Sequence, residues 1–149
     1  MAEAEHGSAA AKTADQNNKE SAVKNIDGLY VVIGALYLVI GILVGIVMGI
    51  QQDFTFAPVH AHINLVGFSA HCVFGLIYKA WPALKQGALA LVQFLLFVIG
   101  TPILLIGIAV AIKSANALPA IIGSMLVILG AVVFLVIVAR GLLRNHASP

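Results

Sequence analysis

The sequence predicts an all-α membrane protein of four transmembrane helices, and three observations predict it. First, hydrophobic residues make up 61% of the 149 residues and charged residues only 9%, against roughly 45–50% and 25% in an ordinary soluble chain. Second, the charges sit at the ends. Of the 14 Asp, Glu, Lys and Arg residues, eight precede Gly28 and two fall at or after Arg140, leaving Asp53, Lys79, Lys85 and Lys113 for everything between. A water-soluble fold cannot cover itself with four charges, which excludes a soluble enzyme, a secreted scaffold and a nucleic-acid binder. Third, the apolar sequence between the ends divides into four runs, each near the ~20 residues that a helix needs to cross a bilayer. The single cysteine, Cys72, excludes an internal disulfide.

Residues 1–27 are polar and carry both charge signs. They cannot bury a core and are expected to form a disordered tail. The apolar run after them is too long for a signal-peptide core. The first span is expected over Gly28–Ile50, the second over His60–Ala80, the third over Ala88–Ile112 and the fourth over Leu118–Ala139. Backbone groups in lipid must be paired within the segment, so uniform runs of this length read as helices, not barrel strands. The domain boundaries are then a tail at 1–27, a four-helix domain at 28–140 and a short tail at 141–149. Pro119 suits the first turn of the last helix, and Pro102 predicts a kink inside the third. Gly41 with Gly45, and Gly45 with Gly49, form GxxxG pairs that read as packing seams.

Charge asymmetry gives an orientation. With the N-terminus cytoplasmic, the inner segments hold Lys12, Lys19, Lys24, Lys79, Lys85, Arg140 and Arg144, and the outer loops hold only Lys113. Cytoplasmic flanks attract Lys and Arg, so both termini are expected inside and the second helix runs inward. Tyr30, Tyr78 and Trp81 then fall where aromatic belts form. Gln93 and Thr101 are expected to bond to neighbouring helices, and Cys72, Met48 and Met125 to pack.

The second helix carries the chemistry. It reads His60-Ala61-His62-Ile63-Asn64-Leu65-Val66-Gly67-Phe68-Ser69-Ala70-His71-Cys72, with three of the five histidines in twelve residues. Ionisable side chains inside a membrane are costly and point to function. At about 100° per residue His60, Asn64, Gly67 and His71 share one stripe, and His62 points the opposite way. A rise of ~1.5 Å per residue puts His71 about 13–17 Å deeper than the other two. Two histidines on opposite faces of a regular helix make a poor chelate for one ion but suit two sites, or one site and a structural hydrogen bond. Neutral imidazole is a common metal ligand and an axial ligand of haem iron. Gly67 leaves room for a flat ring, and Asn64 is placed to orient a histidine or meet a propionate. The competing reading makes these residues polar anchors and interhelical contacts.

The stretch from Val59 to Tyr78, above all His60-Ala61-His62-Ile63-Asn64-Leu65-Val66-Gly67, resembles the catalytic subunit I of haem–copper oxidases and nitric oxide reductases. It is most similar to the small four-helix, subunit-I-like proteins of bacteria. The motif match covers about ten residues; over the remainder the similarity is in helix number. In large members of that family a histidine near the outer end of the second helix holds a low-spin haem and is often followed, two residues on, by Asn, which His62-Ile63-Asn64 matches. A His-x-His pair serving two haems is matched by His60-Ala61-His62.

The resemblance implies haem b held by His62 and His60, with Asn64 and Gly67 lining the cofactor, and copper as a second candidate using His62, His60 or His71. Large members arrange twelve helices in three four-helix arcs, so a four-helix chain implies a homotrimer in a bacterial inner membrane, surrounded by lipid. The implied role is electron transfer or diatomic gas binding, with a quinol or cytochrome as candidate donor. The alternatives are a minimal oxygen or nitric oxide reductase, hence a candidate oxidoreductase, and a non-haem copper-binding or assembly module. The chain departs from the large enzymes in having no adjacent His-His pair and no acidic or lysine residue deep in a span, which argues against a complete proton-pumping oxidase.

Overall fold

The computed structural model describes residues 25–146, so of the tail expected over 1–27 all but its last three residues lie outside the described residues. Four helices are long and apolar enough to cross a membrane: α1 (Ile26–Gln51), α2 (Ala57–Ala80), α3 (Ala88–Ser114) and α4 (Leu118–His146). No strand occurs among the described residues. The four expected spans are therefore all present as helices, each at its expected place in the chain.

Helix ends differ from the sequence-based expectation in informative ways. α1 starts at Ile26, not Gly28, because Ile26 is buried in the core and Asp27 is paired with Lys85 at 2.8 Å. α2 gains a turn before His60, opened by Pro58 near its first position, where a missing N–H costs nothing. α4 runs through to His146, into the segment expected to be a tail. α3 continues through Pro102. The hydroxyl of Thr101 donates to Phe97 O of its own helix at 2.8 Å, so Thr101 serves its own backbone and not a neighbouring helix as expected.

α2 is not one regular helix. Ala57–His62 and His71–Ala80 are α-helical, and Ile63–Ala70 between them is a π-helix. A short 3₁₀ turn, Pro82–Lys85, leads to α3. Helices α3 and α4 approach backbone to backbone. A Cβ at Gly107 would collide with Ala120, and one at Gly123 with Leu104, so small residues set this spacing. Gly34, Gly41 and Gly45 of α1 likewise receive Cys72, Asn64 and His60 of α2, while Gly49 faces open space. The seam thus uses the first of the two GxxxG pairs and only half of the second.

The core joins all four helices near the Asp27–Lys85 end. Ile26, Tyr30, Tyr78, Ala90, Phe97 and Ile137 are its buried members. Tyr30 and Tyr78 are fully buried, which corrects their reading as belt residues. They lie near the helix ends, but their rings point into the bundle. Trp81, 52% exposed, keeps the outward setting of a belt residue. Met48 is buried, while Met125 is 58% exposed on α4 and so is not a packing residue within this chain.

Candidate functional site

The histidines of α2 do not converge. His60 and Asn64 face α1. The ring of His60 stands where a Cβ of Gly45 would lie, and the amide of Asn64 where a Cβ of Gly41 would lie. Asn64 Nδ2 donates to His60 O at 2.9 Å and lies 3.4 Å from both ring nitrogens of His60. Gly67 also faces α1, and the flat ring that uses its missing side chain is that of Tyr37. The space expected to admit a macrocycle is thus filled by an aromatic residue of the same chain.

His62 stands on the other side of α2 and is partly exposed. Its Nδ1 lies 2.7 Å from Pro58 O. A carbonyl oxygen only accepts, so Nδ1 carries the proton of a neutral ring and the lone pair sits on Nε2. Leu65, one turn further along this face, is 68% exposed.

His71 is fully buried. Its Nδ1 donates to Val66 O, five residues back, at 3.0 Å, which again leaves the lone pair on Nε2. The ring packs against Tyr37 of α1 at 5.4 Å between centroids, Tyr30 of α1 at 5.5 Å and Phe97 of α3 at 5.0 Å. The π-helix explains this position. A widened turn absorbs about one extra residue, rotating the C-terminal half of α2 by roughly 100° against a regular helix. Cys72 therefore meets Gly34 of α1, and His71 swings into the wedge between α1 and α3. The single stripe expected of His60, Asn64, Gly67 and His71 thus turns toward α3 at its fourth member, while Tyr37 of α1 still touches both Gly67 and His71.

A further polar group is not legible as a unit in the sequence. Gln93, fully buried on α3, accepts hydrogen bonds from Tyr30 Oη at 2.8 Å and Tyr78 Oη at 3.1 Å. Gln93 does bond to neighbouring helices, as expected of it, and here it ties together three of them. The available signal was depth: Tyr30, Tyr78 and Gln93 all lie within about two turns of the same end of their spans.

At the opposite end, Thr55 N donates to Asp53 Oδ1 at 2.9 Å, holding the Asp53 carboxyl below its ordinary range through hydrogen bonding to Thr55. A groove of about 390 Å³ opens there, lined by Leu43, Met48, Asp53 and Phe56 among others and by none of the histidines. Among the described residues no three His, Cys, Asp or Glu side chains form a group that could hold a metal ion. Comparison of the chain with protein families, with curated proteins and with solved structures finds no match.

Proposed function

We propose that this is a haem b-binding protein of a bacterial inner membrane, serving electron transfer or the binding of oxygen or nitric oxide. In this reading it is a homotrimer with cytoplasmic termini, and His62 is an axial ligand presented to a neighbouring copy. One observation carries the reading: the 2.7 Å contact from His62 Nδ1 to Pro58 O on a partly exposed face of α2. Metal-ligating histidines characteristically donate their second N–H to a carbonyl or carboxylate, which fixes the tautomer and raises the basicity of the ligating nitrogen. His62 has that arrangement, and its Nε2 is directed away from its own backbone carbonyl partner.

The remaining candidates fit the group less well. His60 is occupied with Gly45 and Asn64, so ligating a haem outside the chain would require it to leave the α1 seam. Gly67 is covered by Tyr37. Asn64 acts in this reading on His60 and not on a propionate. A bound haem would supply an iron that changes oxidation state or takes a diatomic gas. The chain's own contribution is to hold one imidazole neutral and oriented, and to surround it with apolar side chains such as Leu65 that exclude water. Among the described residues no three donors converge for copper, and a reductase built at protomer interfaces would draw donors from more than one chain.

The test is the absorption spectrum of detergent-purified protein, oxidised and then dithionite-reduced. The expected result is a Soret band that is lost in His62→Ala and survives in His60→Ala. A colourless preparation made with ample haem, or a band unchanged in His62→Ala, overturns the assignment.

A further inference from the structure

Among the described residues, two buried polar atoms have no hydrogen-bonding partner: Nε2 of His71 and Nε2 of Gln93. Both side chains are fully shielded from the exterior, where leaving a polar group unpaired is costly. Their chemistry is complementary. The His71 proton is committed to Val66 O at Nδ1, so its Nε2 accepts. The Gln93 oxygen is committed to the hydroxyls of Tyr30 and Tyr78, so its amide nitrogen presents N–H groups that donate.

The two groups also share a neighbour. Both flank Tyr30, which packs against the His71 ring at 5.5 Å and donates to Gln93 at 2.8 Å. The His71 ring lies 5.0 Å from that of Phe97, one turn beyond Gln93 on α3.

We propose that His71 and Gln93 enclose a binding site for a single water molecule in the wedge between α1, α2 and α3. The ligand must donate to His71 Nε2 and accept from the Gln93 amide. A metal cation fails the second requirement, because the amide N–H would repel it. Water meets both and has a second proton for a tyrosine oxygen. That gives three hydrogen bonds, the usual number for a buried water. The site is independent of His62 and stands whether or not the protein binds haem.

The experiment is magic-angle-spinning NMR of ¹⁵N,¹³C-labelled full-length protein in phosphatidylcholine bilayers, with magnetisation transferred from water to protein. The expected result is a cross-peak from a slowly exchanging water to both the His71 ring and the Gln93 side-chain amide. His71 should also show a protonated Nδ1 and an unprotonated Nε2. In Gln93→Met the His71 cross-peak is expected to be lost while the protonated Nδ1 remains. The wild-type spectrum decides by itself. Absence of water transfer to both side chains, or a direct coupling between the Gln93 amide and His71 Nε2, overturns the proposal.

Discussion

His62 and His71 use the same device, an Nδ1–H donated to a carbonyl of the preceding turn, in opposite surroundings. One ring is partly exposed and the other is sealed among aromatic rings, so identical tautomers have different consequences. Gln93 shows how much a single acceptor can matter. Tyr30→Phe removes one of two hydroxyl donors and leaves Gln93 bonded to Tyr78; the expected loss is about 1 kcal/mol or less, typical of interhelical hydrogen bonds in membranes. Gln93→Leu strands two buried hydroxyls, each costing about 1–3 kcal/mol, and should destabilise clearly more. Unfolding in mixed detergent–SDS micelles reads both, and equal losses would remove Gln93 as the shared acceptor. Glycines offer a second comparison. Gly123→Ala drives a methyl into the Leu104 backbone and should cost about 1–3 kcal/mol, as overpacking does, whereas Gly49→Ala meets nothing within 4 Å and should leave the midpoint nearly unmoved. At this scale the sequence showed which residues were unusual, because polar groups in an apolar run stand out. It did not show their partners. Tyr30 and Tyr78 resembled belt residues through their nearness to helix ends, and only the rotation of each helix turns them toward Gln93.

The helices themselves were the most legible feature. Length and hydropathy place all four, because lipid leaves the backbone no alternative. The π-helix at Ile63–Ala70 was not legible. Periodicity arguments assume 100° per residue, and the departure here depends on contacts made by both halves of α2 at once: His60 and Asn64 on Gly45 and Gly41, and Cys72 on Gly34. A regular helix would satisfy one set and rotate the other away. Within the wide turn, Ser69 Oγ donates to Asn64 O at 2.9 Å, a reach of five residues that matches the π spacing. Deleting Leu65, which is exposed, should return α2 to regular α-helix and rotate its first two turns by roughly 100° relative to the rest. The check is disulfide formation between Gly41→Cys and Asn64→Cys in a Cys72→Ser background. A Cβ at position 41 would lie 3.0 Å from Asn64 Cγ, close to bonding geometry. Efficient cross-linking is expected without the deletion and little with it; equal cross-linking in both would show that the wide turn does not set the register.

At the scale of the whole molecule, the exposed apolar surface is extensive on every helix, including Leu36 and Ile50 of α1, Leu65 of α2, Ile106 of α3 and Leu135 of α4. Lipid covers such a surface as readily as protein does, so exposure alone does not locate a subunit contact. The proposed function would locate one, because in that reading a ligand on His62 is shared with another copy through the face that also carries Leu65. Closed symmetry then makes a quantitative demand. In a two-fold dimer, a lone cysteine at the contact pairs with its own image and every chain can be joined. In a three-fold ring, one chain of each three is left without a partner, so pairwise cross-linking by a reagent that spans the contact joins at most about two thirds of chains as dimers. Leu65→Cys in the Cys72→Ser background, treated in native membranes with a bifunctional maleimide long enough to span a haem, therefore separates the cases. The expected outcome is a ceiling near two thirds with the bifunctional reagent and a covalent trimer when a trifunctional maleimide is used in its place. Complete dimerisation would replace the three-fold arrangement with a two-fold one. No cross-linking with either reagent would leave the His62 face to lipid and remove the neighbouring copy on which shared ligation depends.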